Sequence, residues 1–204
     1  GVALALVLMP AQAADTPDQQ VAITPPEGVQ GWNGVEGANP IEILRQTFTP
    51  AQASLTKVEL YFAPDGVAAT TGDVFVTVQV KKVGTGTVVA TEIVKVASGA
   101  TAAWVTFDFP TATVDAGQQY AIEATVDDDT KKLAWGYSNA AAYAGGTGAT
   151  VTAGPLLFPK AYDFLFKTYY ESGSACGQLL FGAKPPLGGG FGTRMKPTRS
   201  SGTA

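Results

Sequence analysis

The side chains of this sequence that could do chemistry are aromatic and acidic, because it has no histidine and one cysteine. Without imidazole there is no Ser-His-Asp or Cys-His nucleophile and no His-ligated zinc or haem. The lone thiol, Cys176, builds neither a disulfide framework nor a Cys-rich metal site. Trp135 and Tyr137 alternate along one run, and Tyr143 follows in a long Gly/Ala-rich segment, Ser138 to Gly154. Exposed rings of this kind are platforms on which the C–H faces of sugars dock, so Trp135, Tyr137 and Tyr143 are the predicted ligand-binding residues. Trp32 sits in a polar, Gly-flanked segment, and Trp104 opens a strand-like run, where it reads as a lid on the core.

The acids point less clearly. Asp127-Asp128-Asp129 lacks the Asp-x-Asp-x-Asp-Gly spacing of a calcium loop and reads as a solvated turn. Catalysis without His would need a carboxylate pair, as in glycosidases, or a Ser or Thr activated by Lys. No two acids share an apolar surrounding, and Asp108 and Glu123 fall at strand positions predicted to face water. No catalytic residue is therefore assigned, and a carboxylate-based glycosidase is the third of three functional readings. The net charge of −4 gives no electrostatic reason to expect a nucleic acid partner.

The elements that must carry these residues are strands. Apolar residues recur with a period of two at Val58, Leu60 and Phe62, at Val74, Val76, Val78 and Val80, and at Val105, Phe107 and Phe109. The same period holds at Tyr120, Ile122, Ala124 and Val126, and at Phe164 and Phe166. This alternation marks strands with one face on a core and the other toward water, as in antiparallel sheets. Weaker runs at 42–49, 88–96 and 133–137 bring the prediction to eight or nine strands. Pro64-Asp65-Gly66, Gly84-Thr85-Gly86, Ser98-Gly99 and Asp115-Ala116-Gly117 supply the turns. The fold class predicted is all-β: a two-sheet antiparallel β-sandwich of jelly-roll type. In Gly117-Gln118-Gln119-Tyr120, Gly117 is expected at a tight turn with positive φ and Tyr120 at a sandwich corner.

The ends differ from the middle. Val2 to Met9 is uncharged and apolar and precedes Ala11-Gln12-Ala13, the small-x-small pattern that signal peptidase cleaves after. Residues 1–13 are read as the remnant of a signal peptide, which makes the protein secreted. The run is far short of the ~20 residues a transmembrane helix needs. After Tyr170 the sequence becomes rich in Gly and Pro, and 171–204 is expected to be a flexible tail that includes Cys176. The single domain is expected over 14–170, and neither end carries an alternating pattern that would pair with it.

One resemblance accompanies this reading. Its carriers include Gln46-Thr47-Phe48-Thr49-Pro50, Gly72-Asp73-Val74-Phe75-Val76 and Trp104-Val105-Thr106-Phe107-Asp108-Phe109. Leu55-Thr56-Lys57-Val58-Glu59-Leu60, Ala116-Gly117-Gln118-Gln119-Tyr120-Ala121-Ile122, Tyr143-Ala144-Gly145-Gly146 and Asp163-Phe164-Leu165-Phe166 complete the set. Over about 40–170 the chain resembles the jelly-roll accessory domains of large secreted bacterial proteins, found beside enzymes, adhesion repeats or sorting signals. The resemblance implies a non-catalytic structural or adhesion module at the cell surface or outside the cell. Its partners would be extracellular polysaccharide or neighbouring surface proteins. Carbohydrate binding is the alternative. No cofactor is expected, apart from a structural calcium near Asp163 and Gln46 by analogy with calcium-stabilised jelly-roll modules.

Overall fold

Val74, Val76, Val78 and Val80 are each 0% exposed, while Phe75, between the first two, is 46% exposed. The period of two thus becomes one face packed and one face open. The structure is a computed structural model that describes residues 14–172 except 24, 37, 67–69, 71, 140–142 and 155. The residues expected to form a signal-peptide remnant (1–13), and the expected tail from 173 onward with Cys176, lie outside the described residues.

The described chain forms fourteen strands and one short 3-10 turn. The strands are β1 (Asp15–Val21), β2 (Gly28–Gly31), β3 (Val35–Glu36), β4 (Asn39–Phe48), β5 (Ser54–Pro64), β6 (Val74–Lys82) and β7 (Val88–Val96). They continue with β8 (Ala103–Thr113), β9 (Tyr120–Val126), β10 (Leu133–Ser138), β11 (Gly148–Thr152), β12 (Leu156–Pro159), β13 (Asp163–Phe164) and β14 (Phe166–Glu171). Strands β1, β2, β5, β8, β10, β13 and β14 make one sheet, and β3, β4, β6, β7, β9, β11 and β12 the other. Every ladder is antiparallel. The protein is an all-β two-sheet sandwich. From β4 to β14 most connections carry the chain from one sheet to the other, the winding of a jelly roll rather than of successive hairpins.

Val58, Leu60, Val74, Val76, Val78, Phe107, Ile122, Phe164 and Phe166, the predicted core, are all buried. Phe62 centres an aromatic cluster on the inner face of the first sheet, its ring centre 6.2 Å from Trp32 and from Phe107 and 6.3 Å from Trp135. Gly117 has φ 77°, and the Asp115 N–H donates to the Tyr120 hydroxyl at 2.9 Å, so the expected corner is present.

The strand count exceeds the predicted eight or nine for two reasons. The run 163–171 is broken at Leu165 into β13 and β14, which pair with different neighbours. Five more strands, β1, β2, β3, β11 and β12, are short or polar and carry no clear alternation over their length. One strand that the alternation did not reveal opens the domain: Asp15–Val21 lies antiparallel along β14 from Asp15↔Glu171 to Val21↔Phe166. Glu171, expected to open the tail, is the last residue of β14. No helix among the described residues is long and apolar enough to cross a membrane.

Candidate functional site

Three elements meet at one end of the sandwich: the C-terminus of β10, the segment leading into β11, and the turn between β12 and β13. They enclose an open pocket of about 200 Å³. Ser138 and Asp163, both buried, belong to its lining, as do Tyr143, Thr147, Lys160 and Tyr162.

Asp163 organises the site. Its Oδ1 accepts a hydrogen bond from Gln46 Nε2 at 2.9 Å, and its Oδ2 accepts one from the Tyr143 N–H at 2.8 Å. Gln46 Oε1 accepts in turn from the Phe164 N–H at 2.8 Å. Gln46 occupies the inward row of β4 between Leu44 and Phe48, where a polar side chain is tolerated only if its groups are satisfied. The chain therefore does bring Gln46 and Asp163 together, as the calcium expectation required, but as a hydrogen-bonded pair. Both carboxylate oxygens are already engaged, and no group of three or more metal-ligating side chains occurs among the described residues. This donor set does not fit a calcium ion, which takes six or more oxygens.

The predicted aromatic residues separate. Trp135 is wholly buried, stacked on Phe164 with ring centres 4.6 Å apart, and its indole N–H donates to the Leu165 carbonyl at 2.8 Å. It offers no surface to a ligand, so the platform role assigned to it is corrected: its face of β10 looks into the core. Trp32 is buried too, with its N–H on the Ala124 carbonyl at 3.0 Å. Trp104, read as a lid on the core, packs half-buried against it, edge-on to Tyr61 and with the Lys167 ammonium 4.0 Å from its ring centre.

Tyr143 reaches the pocket but acts as a pin. Its hydroxyl donates to Gln19 Oε1 at 2.8 Å and accepts from the Thr49 N–H at 3.2 Å, and its ring stands edge-on to Phe166. Burial raises its pKa, helped by the nearby charges of Asp18 and Asp163, while the Thr49 N–H works against the shift. The phenol stays neutral and keeps its proton on Gln19.

Tyr137 lies beside the pocket, stacked on Tyr162 with ring centres 3.9 Å apart and planes 19° from parallel. Tyr162 borders the pocket alongside Tyr143, and the sequence reading did not single it out. A period-two signal was available, since Tyr162, Phe164 and Phe166 continue one alternation. Its hydroxyl donates to Gln30 Oε1 at 3.1 Å, and burial raises its pKa, with Tyr137 adding to the shift. Lys160 is ion-paired with Glu36 across the rim, and burial lowers its pKa.

A second depression, of about 310 Å³, has Trp32, Glu42 and the run Asp127–Asp129 in its lining. The acids here close a turn. Asp127 Oδ1 accepts from the Phe75 N–H, and Asp128 caps the 3-10 turn through Thr130. Glu123, expected to face water, is buried between Arg45 (3.2 Å) and Lys81 (2.7 Å).

No family model matches this chain, and no curated protein matches it either.

Proposed function

We propose that this chain is a non-catalytic module of a secreted bacterial protein, serving as a structural or adhesive unit. One observation carries this reading: the best-buried carboxylates are committed to the scaffold. Glu123 uses one oxygen for Arg45 and the other for Lys81, and Asp163 divides its oxygens between Gln46 and the Tyr143 N–H. A catalytic acid or base has to exchange its proton with a substrate, and these groups instead hold strands together. Export rests on the apolar Val2 to Met9 followed by Ala11-Gln12-Ala13. The test is to incubate the full chain with p-nitrophenyl glycosides and esters. No release above buffer is expected, and turnover abolished by Asp163→Asn or Glu123→Gln in a folded protein would overturn the reading.

Carbohydrate binding is the second reading, and the wall that Tyr162 gives the pocket favours it. The test is retention of the chain on immobilised or insoluble polysaccharides, with loss of retention expected on adding soluble sugar.

A further inference from the structure

We infer that the pocket bordered by Tyr162 takes a single neutral sugar ring, presented end-on, with Asn139 and Thr147 as its hydrogen-bonding partners. This rests on the carbohydrate-binding reading and narrows it to one site and one class of ligand.

The lining divides into groups that are used and groups that are free. Asp163 has both oxygens occupied, the Tyr143 hydroxyl is bonded on both sides, and Lys160 is paired with Glu36. Among the described lining residues the Lys160 cation is already ion-paired, so an anionic ligand finds no free cation, and a cationic ligand would have to displace the bonds from Gln46 and the Tyr143 N–H that engage both oxygens of the buried Asp163 carboxylate. Asn139 and Thr147 are different. Both are exposed on the pocket lining, and their side chains make no hydrogen bond among the described residues. An amide offers two donors and an acceptor, and a hydroxyl donates and accepts, which matches adjacent sugar hydroxyls.

The aromatic wall is fixed in place. Tyr137 stacks on one face of Tyr162 and is not part of the pocket lining, so the pocket meets the ring away from Tyr137. The Tyr162 hydroxyl is tied to Gln30, and Phe164 stands at 89° to the ring. The ring is held before any ligand arrives, which reduces the ordering cost of binding.

Size sets the number of rings. Pockets for drug-sized ligands span about 300–1,000 Å³, and this one is about 200 Å³. It has room for one ring, and the buried Ser138 and Asp163 close its depth. A terminal residue fits such a site, whereas an internal residue of a chain would need an open groove.

The test is an NMR titration of the 15N-labelled full chain with the methyl glycosides of glucose, galactose and mannose. At least one should shift the amides of Asn139, Thr147, Ala161 and Tyr162 saturably, with a Kd of about 1 mM or weaker. Asn139→Ala and Thr147→Val, both at exposed positions, should each weaken binding about fivefold without changing the melting temperature. A trisaccharide ending in the same sugar should bind within about threefold of the monosaccharide, and a gain of about tenfold per added ring would overturn the single-ring site. Equal affinity for cyclohexanol would overturn the sugar assignment. If polysaccharide retention survives the Asn139→Ala/Thr147→Val double change, the module binds carbohydrate elsewhere and this pocket is not the site. No retention and no shift from any of the three glycosides would remove both readings.

Discussion

The indole N–H of Trp135 donates to the carbonyl oxygen of Leu165 at 2.8 Å, and the same oxygen accepts from the Tyr61 N–H at 3.3 Å. The Leu165 N–H donates to the Gly136 carbonyl at 2.8 Å. Leu165 is thus the point at which β5, β10 and the β13–β14 run meet. Before it the chain pairs with β10, and after it with β5 and β1. Trp135 fills the fork that opens between β5 and β10 at this junction, so a residue with the look of a sugar platform is the bolt of one sheet.

Trp135→Ala should therefore cost about 3–5 kcal/mol, the range for truncating a buried aromatic. Trp135→Phe should keep most of the packing and lose about 1 kcal/mol with the hydrogen bond. Urea unfolding of the two variants checks this. An alanine variant as stable as the parent would mean that Trp135 is not part of the core.

The N-terminal strand gives the second prediction. Gln19 ties β1 to Thr168 through its N–H at 3.0 Å and to the Tyr143 hydroxyl at 2.8 Å, and Val21 is buried. Starting the chain at residue 22 would bare the edge of β14 and release the pin that holds the pocket loop. A loss of about 5–10 °C in melting temperature is expected by calorimetry. An unchanged value would mean that β1 pairs without contributing stability.

This strand shows where sequence reasoning stopped. The inward rows of β5, β6, β8 and β9 could be read because core and water sort their residues with a period of two. Asp15-Thr16-Pro17-Asp18-Gln19-Gln20-Val21 carries no such signal, because β1 is held mainly by ladder bonds and side-chain hydrogen bonds to β14. Trp135 was misplaced for the opposite reason. Leu133-Ala134-Trp135-Gly136-Tyr137 has no charged residue, because β10 is covered on both faces, with Ala134 buried and Gly136 beneath Tyr61 and Pro26. The small residues at alternate positions marked close approach rather than exposure. The pocket residues Asn139, Thr147 and Lys160 come from turns, where identity alone does not show which chain segments will meet.

The outer face of the first sheet supplies a pH dependence. Burial pushes the Glu59 carboxyl up, but hydrogen bonds from Lys167 (2.9 Å) and Tyr169 (2.8 Å) and the charges of Lys167 and Lys57 outweigh it, leaving its pKa below 4.5. A carboxyl held low in the folded state contributes stability above its unfolded pKa and loses it as pH falls through the folded value. Asp18 runs the other way: burial raises its pKa above 3.8 despite opposing hydrogen bonds from Ala51, Gln19 and Gln52, so its contribution fades as pH rises. Glu59→Gln should therefore lose less stability than the parent between about pH 5 and pH 3, and Asp18→Asn should lose more. Urea midpoints measured across that range test both signs, and parallel profiles would contradict them.

Two threonines of β11 give a stabilising prediction. The side-chain hydroxyls of Thr150 and Thr152 are buried and have no hydrogen-bond partner among the described residues. Valine has nearly the same shape and no polar group to desolvate, so Thr150→Val and Thr152→Val should each add about 1 kcal/mol in urea unfolding. A loss in both would mean that ordered water satisfies the hydroxyls.

Neighbouring glycines separate scaffold from site. A Cβ at Gly146 would overlap the backbone carbonyl of Thr47, whereas one at Gly145 would press on the hydroxyl end of the Tyr143 ring. The Gly146 contact cannot be relieved by a side-chain rotation, because the Thr47 and Thr147 backbones are locked by Thr47 N–H to Thr147 O at 3.0 Å and Thr147 N–H to Thr47 Oγ1 at 2.7 Å. Gly146→Ala should cost about 1–3 kcal/mol, the range for forcing atoms into filled space, and more than Gly145→Ala. It should also displace Thr147 and weaken sugar binding in NMR titration. Gly145→Ala should act mainly by loosening Tyr143 from Gln19, which lowers stability and leaves the Asn139 and Thr147 contacts in place. The reverse order of the two costs would show that the loop is held by Tyr143 rather than by its close approach to β4.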